Sequence, residues 1–399
     1  MTDVRRRTRT AGLLSGSFLS VLFAQTCFGF SFSSFLLFPK FLTTELAANA
    51  AQIGQVATVN RLSTMVGLLL SGVMVDRFGR RPFLAGGAAL MTLASLSFFW
   101  VDHLGPLVFI LRGFQGLAFG MAFAAGSALI VDLSPPEKLA QAIGYFGLTM
   151  LSTNALAPLS VEAIAQANGW RWAFMMAAGG AAVCLVASFF LKDPFRKSVD
   201  TSSARSLLQV ALEPKQRRSA VVISLVGAAF ATLFVLHQPF AIELGIENLS
   251  LFFIAYTAAA IGVRIGMGPF VDRIGRSRVA VGSLLIYATV VTLTIHLESV
   301  GLFGIGFFLG LAHGFFYPSF NALVVEGASE HDRGKVMAVF QAWFTAGGAL
   351  GTWALGALAH SSGYPQVFAV AGLATFSALF ILCLSPEGRT AFRLRASSL

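Results

Sequence analysis

A chain of 399 residues and 42.3 kDa carries 56% apolar residues and only 12% charged ones. Soluble domains usually carry about 25% charge. With a mean hydropathy of +0.76, the composition excludes a string of water-exposed domains, and it excludes a disordered chain for the same reason.

A bilayer-spanning helix needs about 20 mostly apolar residues, and twelve segments meet that need. In the first half they cover 14–38, 51–75, 82–101, 106–131, 141–165 and 171–191. In the second half they cover 219–242, 249–271, 279–297, 301–325, 336–359 and 364–384. Turn residues such as Pro135-Pro136, Asn168-Gly169 and Ser361-Ser362-Gly363 separate them. The runs are too long for membrane β-strands, which need about 10 alternating residues. The 40 glycines lie largely inside the runs, as expected where backbones approach closely in lipid. The expected fold is an all-α polytopic membrane protein of twelve transmembrane helices.

A charged tract at 192–218 divides six spans from six, giving an N-terminal bundle over 1–191, a linker over 192–218, and a C-terminal bundle with a short tail over 219–399. The basic N-terminus followed by an apolar run imitates a signal peptide, but the run is too long and no small-residue cleavage site follows it. It reads as the first span. Cys27, Cys184 and Cys383 fall in separate spans with neither metal nor disulfide spacing.

Lys and Arg asymmetry orients the chain. With the N-terminus in the cytoplasm, 23 of the 28 basic residues face inward, Lys40 and Arg171 face outward, and Arg61, Arg112 and Arg264 stay within spans. Both termini are then cytoplasmic, in a bacterial-type inner membrane. The net charge of +10 is a topology signal suited to anionic headgroups. It does not point to nucleic acid.

An internal repeat ties the halves together. Gly72-Val73-Met74-Val75-Asp76-Arg77-Phe78-Gly79-Arg80-Arg81 returns 196 residues later as Gly268-Pro269-Phe270-Val271-Asp272-Arg273-Ile274-Gly275-Arg276-Ser277, with six of ten positions identical. Further on, Gly116-Leu117-Ala118-Phe119-Gly120 matches Gly310-Leu311-Ala312-His313-Gly314, and Asp132 matches Glu326. The aspartates sit at span ends, where they can meet the positive end of a neighbouring helix. Arg77, Arg80, Arg273 and Arg276 can reach Asp132 and Glu326. Such pairs make a candidate inner latch for a two-state protein.

These ten-residue strings resemble the G-x-x-x-D-R-x-G-R-R signature of the major facilitator superfamily. Residues 72–81 fit it at every specified position, and the second copy lacks only the last Arg. The resemblance implies two pseudo-symmetric six-helix bundles, a central cavity and alternating access. Arg112-Gly113-Phe114-Gln115-Gly116 also resembles the span-4 string of the superfamily's proton-coupled drug exporters, where the Arg is associated with coupling or substrate contact. Span 5 departs from the exporter pattern: Ala157-Pro158-Leu159-Ser160-Val161-Glu162 keeps the proline and lacks the glycines.

Ionisable residues inside spans are functional hypotheses by default. Arg112 and Gln115 share a helix face. Arg61 and Arg264 are further cations. Glu162 either faces outer water or carries a proton or pairs with a buried Arg. His237 and His313 can exchange protons near neutral pH. Tyr317, Asn321, Gln341 and Gln25 complete the polar candidates. The excess of buried cations suggests an anionic substrate group, and the phenylalanine-rich surroundings suit an amphipathic drug-like one.

The expected function is a secondary active transporter, exporting a small metabolite or drug-like compound with protons as the coupling ion. An uptake symporter and a non-transporting receptor or scaffold are the alternatives. No nucleophile–base or metal-ligand set and no P-loop occur, so no enzyme activity, cofactor or metal is expected. The expected partners are the lipid bilayer, a small-molecule substrate and protons, with the protein a monomer.

Overall fold

The structure is a computed structural model that describes residues 14–191, 193, 206–266, 268–329 and 332–391, with the side chains of Val73, Gly268, Pro269, Asp272 and Ser299 outside that set. The N-terminal arginines, most of the charged tract and the Asp272 carboxylate of the second repeat therefore lie outside the described residues.

A helix runs through each of the twelve expected spans. The first six are α1 (Gly16–Ser34), α2 (Ala50–Phe78), α3 (Arg81–Ser97), α4 (Pro106–Leu133), α5 (Leu139–Asn168) and α6 (Trp170–Phe190). The second six are α7 (Pro214–Glu243), α8 (Ser250–Gly266), α9 (Arg276–Leu293), α10 (Leu297–Val325), α11 (Arg333–Ser362) and α12 (Tyr364–Leu384). Among the described residues, nine helical runs are long and apolar enough to cross a membrane. Of the rest, α8 is shorter, and α5 and α11 carry more polar residues, such as Asn154 and Glu162 or Lys335 and Gln341. No strand occurs among the described residues. The expected linker is partly helical: Leu207–Ala211 starts with a capping box between Ser206 and Gln209, and α7 begins at Pro214.

The chain groups into two compact units, one of Met1–Phe38 with Leu62–Asp200, the other of Pro39–Arg61 with Thr201–Leu399. Within the first, α1 packs on α5 and α6, and α3 packs on α4 and α6. Within the second, α7 packs on α11 and α12, and α9 packs on α10 and α12. The same pairs recur at corresponding places, so the sequence repeat is a structural repeat. Gly79 and Gly275 share a left-handed backbone, with φ of 94° and 95°. Only glycine adopts that conformation without strain, and it turns the chain sharply from α2 into α3 and from the second copy of the string into α9.

Close packing rests on small residues. A Cβ on Gly227 of α7 would overlap the Phe344 carbonyl of α11, and one on Gly347 would overlap the Ser224 carbonyl. These two backbones touch, as small-residue interfaces allow. The stretch Pro39–Arg61 joins the second unit for a related reason. Thr58 Oγ1 donates to the Ala349 carbonyl at 2.9 Å and lies 3.1 Å from Thr352 Oγ1, while Gly356 lies against Ala50 and Gly54. Lys40 Nζ reaches the Glu247 carbonyl at 2.7 Å.

Candidate functional site

The corner between α2 and α3 gathers the repeated string. Arg80 is 7% exposed. Its guanidinium lies 2.8 Å from Asp132 at the end of α4 and 3.2 Å from Asp76 one turn back on α2, and it donates to the Val75 carbonyl at 3.2 Å. All of these partners belong to the first unit, so Arg80 pins α2 to α4 inside one bundle. Gly72 and Arg77 stand on the exposed side of α2, and the Arg81 guanidinium packs over the Phe189 ring at 5.9 Å. The second copy differs. The Glu326 backbone carbonyl accepts from Lys215 Nζ at 2.6 Å. Among the described residues, its carboxylate makes no ion pair with Arg273 or Arg276.

A residue that sequence reading passed over completes the first corner. Asp193 Oδ2 accepts from the backbone N–H of Arg80 and of Arg81, both at 2.9 Å. These are donors at the start of α3 that have no partner within the helix. A carboxylate there also meets the positive end of the helix dipole. The available signal is that Asp193 is the first acid beyond span 6, next to the basic Lys192 and ahead of Arg196 and Lys197. Asp193→Ala is expected to lower stability by about 1–2 kcal/mol, with Asp193→Asn milder, read as a drop in melting temperature of the purified protein.

Within the first unit, Arg112 of α4 is 8% exposed. Its Nη1 donates to Gln115 Oε1 at 2.6 Å, and Gln115 Nε2 donates to Ser95 Oγ of α3 at 3.2 Å. The guanidinium also lies over the rings of Phe38 at 4.9 Å and Phe35 at 5.5 Å. The expected sharing of a face by Arg112 and Gln115 is thus a direct bond, extended by Ser95 and two rings that the sequence did not single out. Gln25 is fully buried on α1 and donates to the Ala122 carbonyl at 2.9 Å. Gly126 makes room for it, since a Cβ there would overlap the Gln25 amide. Glu162 is 4% exposed, so it does not face outer water. It lies one turn beyond Pro158 on the inward side of α5.

The remaining candidates belong to the second unit. Arg61 is half-buried, with its guanidinium beside Gly348 of α11. Arg264 on α8 is solvent-exposed, and its charge acts on His313 of α10. His237 is fully buried, with Nδ1 on the Leu233 carbonyl at 2.6 Å and its ring 4.1 Å from that of Phe252. His313 of α10 is half-buried, with its ring 4.5 Å from Phe230 and 5.4 Å from Tyr317. The Tyr317 hydroxyl donates to Gln341 Oε1 of α11, and Gln341 Nε2 reaches Thr345 Oγ1 at 3.5 Å. Asn321, half-buried, follows one turn after Tyr317. The structure thus assembles two separate polar clusters, one at Arg112 and one at His313, each inside its own bundle. Outside the spans, the exposed Asp102 carboxyl is held below its usual range by the hydrogen bond and charge of His103, 2.6 Å away.

The Major Facilitator Superfamily model matches residues 21–267 and 220–396, essentially the whole chain. The chain belongs to the Major Facilitator Superfamily. It is a multi-pass membrane transporter, and superfamily members are not enzymes. Among curated proteins it is similar to the multi-drug resistance efflux pump PmrA of Streptococcus pneumoniae, 25% identical over 96% of this chain and 97% of that one. It is also similar to the multidrug resistance protein MdtG of Citrobacter koseri, 25% identical over 82% and 83% of the two chains. Among solved structures, the nucleoside transporter NupG matches with a TM-score of 0.76 at 14% identity, over 96% of this chain and 100% of that one. The human organic anion transporter MFSD10 matches with a TM-score of 0.68 at 16% identity, over 92% and 98%. Both structures share the two-bundle fold of this superfamily member.

Proposed function

We propose that this transporter exports a small drug-like or metabolite compound from the cytoplasm in exchange for protons, by alternating access. Both termini are then cytoplasmic and the protein acts as a monomer in the inner membrane. The observation that carries the reading is the buried Arg112–Gln115–Ser95 chain of the first unit, with Phe35 and Phe38 against the guanidinium. It joins a fixed cation to an aromatic surface, a combination suited to an amphipathic compound with one polar end. The 25% identity to a multi-drug efflux pump across 96% of the chain supports the outward direction. The inward excess of basic residues supports the orientation.

The test is reconstitution in proteoliposomes with an imposed pH gradient and an internal pH dye. A panel of anionic, neutral and cationic amphipathic fluorophores is followed in parallel. Substrate and protons are expected to move in opposite directions. Movement in the same direction would identify an uptake symporter, and binding without movement would identify a receptor; either result overturns the proposal.

A further inference from the structure

The two repeats form an internal control. In the first, Phe119 of α4 lies 4.1 Å from the ring of Phe32 and 5.4 Å from that of Phe123, one turn on. An offset of 194 residues puts His313 at the place of Phe119 and Tyr317 at the place of Phe123. Their rings again stand 5.4 Å apart. Phenyl rings therefore satisfy the packing at this point of the bundle. An imidazole and a phenol bring polar atoms into it, and a buried polar group left unsatisfied costs about 1–3 kcal/mol.

The surroundings are equally unusual for this chain, which has 39 phenylalanines but only five tyrosines. Three of those five ring His313: Tyr317 from its own helix, Tyr287 of α9 at 6.1 Å and Tyr256 of α8 at 6.3 Å. The Phe230 ring stacks on the imidazole at 4.5 Å, and Phe344 stands at 6.1 Å. Tyr287 is fully buried. Its hydroxyl, the Nδ1 of His313 and the Thr257 hydroxyl next to Tyr256 are buried without a hydrogen-bond partner among the described residues. Aromatic rings from five helices thus surround one imidazole whose Nδ1 is buried without a hydrogen-bond partner among the described residues.

We propose that His313 is a proton-carrying site within the second unit, served by Tyr287 and Tyr256. The site rests on the proton-coupled reading given above and names the group that takes up the ion. The step is a single N–H bond formed at the free ring nitrogen on loading and broken on release. The resulting cation is attracted by the Phe230 ring face and donates to the tyrosine oxygens. The titratable and charged groups that face it are Tyr256 and Arg264 from α8, Tyr287 from α9 and Tyr317 from α10; α7 and α11 contribute Phe230 and Phe344. One turn away, the Tyr317–Gln341 bond ties α10 to α11, so a charge on the ring acts next to a tie between two helices.

The experiment reads protonation directly and needs no substrate. The full chain, labelled with 15N-histidine, is placed in lipid nanodiscs and titrated from about pH 5 to pH 9, the range over which an imidazole is expected to exchange protons. The His313 resonance is assigned by its loss in His313→Phe, which installs the first repeat's own residue, or in His313→Gln should that variant fold poorly. His313 is expected to titrate inside the window, and Tyr287→Phe to move its midpoint down by about one unit. An imidazole enclosed only by hydrocarbon stays neutral throughout; a flat His313 profile, or one indifferent to Tyr287→Phe, overturns the proposal. If wild-type liposomes move substrate without protons, the function reading fails whatever the titration shows. If they are proton-coupled and His313 is silent, only this site fails.

Discussion

Replacing Arg112 by methionine is expected to cut transport by at least about tenfold in proteoliposomes while the protein still folds. Methionine keeps an unbranched stem of similar reach and removes the donors. Gln115 Oε1, fully buried beside it, then loses the 2.6 Å bond from Nη1, which costs about 1–3 kcal/mol. The contact of the guanidinium with the Phe38 and Phe35 rings contributes roughly another 0.5–2 kcal/mol. Each 1.4 kcal/mol, where it bears on the transport step, is about a factor of ten. Arg112→Lys is expected to fail nearly as badly, because an ammonium cannot bond Gln115 and lie flat over two rings at once. The measurement compares initial rates at matched protein density with elution profiles in detergent. Wild-type rates for Arg112→Met would remove Arg112 from the transport pathway.

The second large effect concerns Asp132. Arg80 is nearly closed off from solvent, and Asp132 supplies its shortest carboxylate contact, 2.8 Å against 3.2 Å for the more exposed Asp76. Removing one partner of a buried pair strands the other charge, at a cost of about 3–5 kcal/mol. The partial exposure of Asp132 places Asp132→Ala at about 3 kcal/mol on that scale. Arg80→Met removes the buried charge itself and leaves two carboxylates that water can reach, so it is expected to lower the melting temperature less than Asp132→Ala. The reverse order in a thermal melt would mean that Arg80 acts by packing rather than by charge.

These two sites also show how far a sequence can be read. The α2–α3 corner was legible because its string occurs twice and its glycine turn has one backbone solution, repeated at Gly79 and Gly275. The Arg80–Asp132 pair was legible because both charges end spans, where few charges compete. Glu326 matches Asp132 in register, yet it meets Lys215 through its backbone. Register fixes where a residue stands along a helix, but not which neighbour a flexible side chain selects. Arg112 and Gln115 were legible from helical spacing alone. Ser95 was not, because a lone serine in an apolar helix has no periodicity to betray it. For Glu162, burial on the inward face of α5 removes the outer-water reading and no other. Tyr256 and Tyr287 were passed over because an aromatic residue in a span looks like packing until a histidine is found against it.

The grouping of Pro39–Arg61 with the second unit bears on how this transporter can be taken apart. The polypeptide passes from one unit to the other three times, near residues 38, 61 and 200, and only the last of these crossings falls in the charged tract. A gene cut in that tract would yield a C-terminal fragment lacking the α2 segment that hydrogen-bonds to Ala349 and lies against Gly356. That fragment carries a bare glycine face on α11 until its complement arrives. Split-gene complementation should therefore depend on the two pieces being made together, and each piece expressed alone should be the prey of membrane proteases.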